Sequence, residues 1–87
     1  MKYELRLKDS VHRDEKRIPS GVFDRILRKV MTELLANPRK GEPLVGKGKP
    51  LWRYRVGNYR VIYAFNDSEL WVLVVRVAHR KEVYRNL

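Results

Sequence analysis

The stretch from Leu51 to Phe65 constrains the fold of this chain more than any other. Two runs rich in aromatic and β-branched residues flank Gly57-Asn58, which predicts a β-hairpin with a two-residue turn, because both turn residues tolerate positive φ. Directly opposite residues in a hairpin share a sheet face, and faces alternate along each strand. One face is therefore predicted to be a core face, and it carries Trp52, Tyr54, Val56, Tyr59, Val61, Tyr63 and Phe65.

The other face of the hairpin carries Arg53, Arg55 and Arg60, with Arg55 opposite Arg60. Like charges placed opposite each other on a sheet repel, unless a carboxylate or a phosphate lies among them. Two interpretations stay open. The face is a solvated basic surface whose repulsion is screened by salt, or it is an anion site, since the planar guanidinium fork matches phosphate in a bidentate manner. We call this surface the arginine face.

The chain before the hairpin predicts a strand and two helices. Residues 2–8 alternate between charged and apolar side chains, as in a half-buried strand, and Asp9 or Ser10 is expected to cap a short polar helix. After Pro19-Ser20 a second helix is predicted, and its apolar positions recur at helical spacing. This apolar stripe comprises Phe23, Ile26, Leu27, Val30, Leu34 and Leu35. The two helices are expected to form a hairpin whose stripe covers one face of the sheet.

The remaining segments predict a loop, a turn, a strand and a tail. Residues 37–50 are rich in glycine, proline and basic residues, and we expect this loop, with Lys47 and Lys49, to touch backbone phosphates. Residues 66–69 predict a turn. The apolar run over 70–78 predicts a central strand covered on both faces. The tail, 79–87, is expected to be a short helix or irregular.

Together these elements predict an α+β fold in one domain, residues 1–87. A helical hairpin would pack on a mainly antiparallel four-stranded sheet, in the order β-α-α-β-β-β with an optional short C-terminal helix.

Composition narrows the classes of function. The 87 residues include 20 Lys and Arg against 10 Asp and Glu, a net charge of +10, which indicates a partner of opposite sign, with nucleic acid foremost. The absence of cysteine excludes disulfides, thiolate metal sites and cysteine nucleophiles. No apolar run approaches the ~18–20 residues of a membrane span. The N-terminus is unlike a signal peptide, so a cytoplasmic location is expected.

The hairpin motif Trp52-Arg53-Tyr54-Arg55-Val56-Gly57-Asn58-Tyr59-Arg60-Val61-Ile62-Tyr63 resembles the signature of the RelE/ParE toxin superfamily. The tail His79-Arg80-Lys81-Glu82-Val83-Tyr84 is similar to the C-terminal motif of its RelE branch. The element order agrees over nearly the whole chain. The hairpin is shared with the ParE branch, so it indicates the fold more firmly than the activity.

The resemblance implies a toxin of a toxin-antitoxin pair. RelE toxins are metal-independent endoribonucleases that cleave messenger RNA in the ribosomal A site by attack of the 2′-hydroxyl and thereby inhibit translation. It further implies a RelB-like antitoxin, expected to be acidic, with ribosome and messenger as the other partners. No cofactor and no membrane partner are implied.

The same resemblance assigns roles to individual residues. Arg60 resembles the arginine that stabilises the developing phosphate charge, and Arg80 the one assigned to charge stabilisation or proton donation. Tyr84 resembles the tyrosine that orients or stacks on a nucleotide. Arg53 and Arg55 stand where the best-known bacterial member has two lysines, and they are expected to bind phosphate.

The general base is the weakest part of this assignment. Arginine is effectively never deprotonated, so neither Arg53 nor Arg55 can serve. His79 is the candidate, because histidine titrates near neutral pH, or it is a strand-end residue beside the site. Two other functions stay open: a ParE-like inhibitor of DNA gyrase, and a catalytically silent basic RNA-binding domain.

Overall fold

In the computed structural model, residues 3–44 and 50–79 are described, and they form two helices and a five-stranded sheet. The strands are β1 (Glu4–Leu7), β2 (Glu42–Pro43), β3 (Trp52–Val56), β4 (Tyr59–Asn66) and β5 (Trp71–His79), and the helices are α1 (Asp9–Glu15) and α2 (Ser20–Lys29). The sheet order is β1-β5-β4-β3-β2, parallel only between β1 and β5. The predicted α+β class is confirmed. The additional strand, β2, lies inside the predicted loop and is too short to leave a periodic pattern.

The hairpin of β3 and β4 has the predicted register, with Val56 opposite Tyr59 and Arg55 opposite Arg60. Its turn uses positive φ at Gly57, where φ is 58°. Asn58 does not adopt positive φ, so the turn has the pattern of type II′, in which only the first central residue is left-handed. The predicted faces follow from this register.

The core lies between α2 and the predicted core face of the sheet. After Lys29 the helix continues as a π-helical segment, Val30–Leu34, so that the apolar stripe reaches across the strands. Its buried members pack with buried residues of β3, β4 and β5, and together the cluster includes Phe23, Ile26, Val30, Leu34, Val56, Val61, Tyr63, Val72, Val74 and Val77. Thus the helical stripe is confirmed as the cover of one sheet face.

Helix α1 closes the edge of β5 that β1 leaves open. β1 ends opposite Val74, and beyond that point β5 carries a bulge. Ser10 Oγ donates a hydrogen bond to the Val75 carbonyl oxygen at 2.5 Å, and the Asp14 carboxylate accepts one from the Val77 N–H at 2.8 Å. The expectation that Asp9 or Ser10 caps the helix is therefore wrong, because the Ser10 hydroxyl bonds to the strand and Lys8 occupies the cap position.

Asp14 is also half of a buried ion pair. Its two carboxylate oxygens accept hydrogen bonds from Arg76 Nε at 3.0 Å and Arg76 Nη2 at 3.1 Å, and the two side chains are 6% and 14% exposed. Buried charges persist when they are paired and their hydrogen bonds are satisfied. This pair thus joins α1 to β5 at the bulge.

The burial of β5 differs from the prediction. Val72, Val74 and Val77 are buried on the core face, whereas Trp71 and Leu73 on the other face are only half-buried. The expectation of a strand covered on both faces is wrong, since no helix of the described chain lies over that second side. The central strand of the sheet is β4.

A buried tyrosine holds the segment before β2 against the hairpin. The Tyr63 hydroxyl donates to the Pro38 carbonyl oxygen at 2.5 Å and accepts from the Gly41 N–H at 3.2 Å. A Cβ atom on Gly41 would collide with the Arg53 carbonyl oxygen and with this hydroxyl, so only glycine fits there. Burial raises the pKa of Tyr63 to about 12, with the Gly41 hydrogen bond acting in the opposite direction.

None of the helices in the described part of the chain is long and apolar enough to cross a membrane.

Replacing Asp14 by alanine should destabilise the fold by about 3–5 kcal/mol, because it leaves the buried Arg76 charge and the Val77 N–H without their shared acceptor. Urea unfolding measures the loss. Glu15→Ala, which removes an exposed carboxylate from the same helix, is the matched control and should cost much less. Equal losses in the two variants would contradict the role assigned to the ion pair.

Tyr63→Phe should cost about 1–3 kcal/mol at neutral pH, because Gly41 and Pro38 lose a buried partner. The folded-state pKa is raised, so this stabilisation is complete below pH ~10 and is lost as pH rises towards about 12. The stability difference between wild type and Tyr63→Phe should therefore shrink over that window in denaturant titrations. A difference that stays constant across it would refute the assignment.

Candidate active site

The three arginines of the hairpin share one face, as the register requires. Arg55 lies directly opposite Arg60, and Arg53 lies opposite the fully buried Ile62. The same cross-strand row continues from Ile62 to Arg76 on β5. The arginine face is therefore rigid strand surface, backed by the core on the other side of the sheet.

One carboxylate stands on this face. Glu42 of β2 is opposite Arg53, and its Oε1 accepts hydrogen bonds from Arg53 Nε at 3.1 Å and from Arg53 Nη2 at 3.0 Å. Among the described residues, neither Arg55 nor Arg60 has a carboxylate within ion-pair distance. The charge of the Arg55–Arg60 pair is thus left for an external anion.

Arg60 presents an unsatisfied buried donor. Its Nη1 is buried and has no hydrogen-bond partner within the described structure. An unmade hydrogen bond at a buried charged group is costly, so the guanidinium is held ready for an acceptor. A phosphate oxygen would satisfy it with a charge-assisted hydrogen bond.

A groove of about 440 Å³ runs along the edge of β3 beyond β2. Its lining consists of Lys40, Gly41, Glu42, Arg53, Tyr54, Arg55 and Arg60. Four cations therefore surround one carboxylate, which suits a polyanion rather than a neutral ligand.

Two of the lining residues have further interactions. Lys40 donates a hydrogen bond to Glu33, which raises the pKa of Lys40 and lowers that of Glu33. Partial burial, with Glu33 nearby, raises the pKa of Tyr54, so its phenol stays protonated as a donor at neutral pH.

His79 does not join the arginines. It pairs with Tyr59 across β4 and β5, with ring centroids 5.7 Å apart, and Tyr59 belongs to the core face. The residue opposite Arg60 is Ala78. His79 therefore lies on the opposite sheet face from Arg60, and the expectation that it stands beside the arginines as their base is wrong. The physical reason is the β4–β5 register, which the sequence of the turn does not determine.

Four predicted site residues, Arg80, Tyr84, Lys47 and Lys49, lie outside the described residues. Conversely, the groove adds side chains that the sequence analysis did not assign to the site.

Of these additions, Tyr54 was assigned to the core face, and Lys40 to a general basic loop. Glu42 belongs to a two-residue strand. Its one sequence signal is that it is a lone carboxylate in an otherwise basic segment.

Comparison with known proteins agrees with this architecture. The chain matches the family model for the ParE toxin of type II toxin-antitoxin systems over residues 5–84. It is 29% identical over 86 residues to toxin RelG of Mycobacterium tuberculosis, covering 98% of this chain and 99% of that protein. It is 33% identical over 84 residues to toxin RelE of the same organism, covering 95% and 87% respectively.

Solved structures show the same fold. The RelBE2 toxin-antitoxin complex of Mycobacterium tuberculosis superposes with a TM-score of 0.85 at 27% identity, covering 92% of this chain and 93% of that chain. The isolated RelE toxin of E. coli superposes with a TM-score of 0.71 at 22% identity, over 88% and 83%, a likeness of fold alone. The chain therefore belongs to the ParE toxin family of type II toxin-antitoxin systems and is a toxin of the RelE type.

Proposed function

We propose that this toxin is an endoribonuclease that cleaves messenger RNA in the ribosomal A site and so inhibits translation. The observation that carries the proposal is the Arg55–Arg60 pair, held opposite each other in a groove, with a buried Arg60 nitrogen that lacks an acceptor among the described residues. A phosphodiester supplies the charge and the acceptor that this pair lacks.

The proposed reaction is a transesterification. The 2′-oxygen attacks the adjacent phosphorus, the bond from phosphorus to the 5′-oxygen breaks, and the products are a 2′,3′-cyclic phosphate and a 5′-hydroxyl. Negative charge grows on the non-bridging oxygens, and Arg60 and Arg55 are placed to stabilise it. Because these donors are fixed on paired strands, little reorganisation is needed as the charge develops.

Other residues enter the proposal by family resemblance. Arg80 would stabilise the leaving group or donate its proton, and Tyr84 would orient or stack on a nucleotide. Lys47 and Lys49 would contact flanking phosphates, and Arg53 would contact the phosphate beside the cleaved one.

The ribosome would align the substrate. The groove is open along the edge of β3, so the described protein surface encloses an RNA strand on one side only. In-line attack requires the 2′-oxygen, the phosphorus and the 5′-oxygen to be held in one geometry. A second surface, supplied by the ribosomal A site, would complete that alignment, and the toxin would then act in the cytoplasm.

A cognate antitoxin is the remaining proposed partner. The similar mycobacterial structure is of a toxin-antitoxin complex. With a net charge of +10, this chain would favour an acidic, RelB-like protein that covers the arginine face or displaces the C-terminal tail.

Arg60→Ala should lower the rate of messenger cleavage ~10²–10³-fold, because it removes a preorganised donor to the developing charge. Primer extension on a reporter messenger in a purified translation system measures the rate. Arg28→Ala is the matched control, since Arg28 is exposed on α2 away from the groove, and it should leave the rate unchanged.

Near-wild-type cleavage by folded Arg60→Ala protein would refute the assignment of Arg60. Absence of cleavage by the wild type would refute the proposed activity. In that case, a halt of replication before translation in induced cells would favour the ParE-like alternative.

The isolated toxin should bind single-stranded RNA but cleave it poorly, because the open groove holds the phosphate without fixing the in-line geometry. The logarithm of the binding constant should fall with the logarithm of salt concentration at a slope of about −0.7 per neutralised phosphate. Fluorescence anisotropy over a salt series gives the slope, and gel analysis gives the cleavage. Fast turnover of naked RNA would contradict the requirement for the ribosome.

A further inference from the structure

We propose that Glu42 is the general base that removes the 2′-hydroxyl proton, an inference that rests on the proposed ribonuclease function. The reaction needs a group that accepts this proton within hydrogen-bond reach of the 2′-oxygen. The arginines of the groove cannot accept it, since they stay protonated at any physiological pH. His79 stands on the other face of the sheet.

Glu42 is the carboxylate of the groove. It lies opposite Arg53 in the cross-strand pairing and therefore on the arginine face, and it lines the same groove as Arg55 and Arg60. Its side chain is 71% exposed, so a nucleotide bound to the arginines can reach it. A base and the phosphate-binding groups thus share one surface.

The hydrogen bonds of Glu42 leave one oxygen available. Both hydrogen bonds from Arg53 go to Oε1, and within the described residues Oε2 has no partner. Arg53 therefore acts as a positioning residue that holds one oxygen while the other accepts a proton. A base oriented by a third group is the general arrangement in enzymes that activate hydroxyl nucleophiles.

The backbone of Glu42 is also fixed in place. Its neighbour Gly41 is held by the hydrogen bond to Tyr63 and packs too closely against Arg53 for any side chain. Strand pairing then sets Glu42 opposite Arg53. Such a constraint keeps the carboxylate at a constant distance from the Arg55–Arg60 pair, as catalysis by positioning requires.

The proposed step balances. Glu42 Oε2 takes the proton from the 2′-hydroxyl, and the electron pair of that O–H bond forms the new bond from oxygen to phosphorus. The bond from phosphorus to the 5′-oxygen breaks, and the 5′-oxygen takes a proton from water. Glu42 returns its own proton to solvent, so the cleavage consumes no net proton and needs no further reactant.

Glu42→Gln tests this inference, because glutamine keeps the size and the acceptor oxygen for Arg53 but cannot take up the proton. We expect kcat on ribosome-bound messenger to fall ~10²–10⁴-fold, with KM unchanged or lower, since the groove becomes more cationic. The wild-type rate should fall as acid protonates the carboxylate, and this acid limb should be absent from the variant. The charged and titratable groups facing Glu42 in the groove are Lys40, Arg53, Tyr54, Arg55 and Arg60.

Glu4→Gln is the matched control. Glu4 is an exposed carboxylate paired with Arg6 at 3.0 Å, the same kind of ion pair, but it lies on β1 and does not line the groove. Its variant should cleave like the wild type. Thermal unfolding of both variants shows whether the fold is retained, which the exposure of both side chains favours.

Three outcomes are distinguishable. Loss of kcat and of the acid limb in Glu42→Gln alone supports the inference. Wild-type kcat with tighter RNA binding in Glu42→Gln would overturn it, and would mean that Glu42 only neutralises Arg53. Absence of cleavage by the wild type would instead refute the proposed function.

Discussion

The cross-strand register of β3 and β4 is the constraint on which the rest of this structure depends. The type II′ turn at Gly57 fixes which residues face each other, and the two-residue period of a strand then sorts the side chains onto two faces. A slip of one residue would move the arginines into the core and the aromatic residues into solvent. Core packing and the anion site are therefore two consequences of the same pairing.

This arrangement couples stability to chemistry. The apolar face, buried beneath α2, supplies the free energy that holds Arg55 and Arg60 opposite each other despite their repulsion. A rigid backbone keeps the guanidinium groups aimed at one position, so an incoming phosphate meets donors that need not rearrange. The same sheet is secured at its far edge by α1, whose Asp14 replaces a strand as the partner of β5.

Local periodicity made part of this structure predictable. The alternation in the hairpin gave the faces and the partner of each arginine, and the helical spacing of Phe23 and its apolar neighbours gave the cover of the core. Asp14 was missed because its burial depends on a bulge in β5, which is 62 residues away from it. Glu42 was missed because a two-residue strand has no period.

The position of His79 shows the same limit. Which face it occupies depends on the β4–β5 pairing, and that pairing includes a register shift between Ile62 and Tyr63. One residue more or less in that bulge would reverse the face. Arginine types and spacing could thus indicate a phosphate site, whereas the proton acceptor required the three-dimensional register.

The chemistry proposed for the groove is tested most directly by the ends of the cleaved messenger. Cleavage products from a purified translation system can be analysed by mass spectrometry, using a reporter RNA with either ribose or 2′-deoxyribose at the cleavage position. Attack by the 2′-hydroxyl, directed by the arginine face, predicts a 2′,3′-cyclic phosphate on one fragment, a 5′-hydroxyl on the other, and no cleavage of the deoxy-substituted messenger. A 5′-phosphate on the downstream fragment, or cleavage at the deoxy position, would contradict the account.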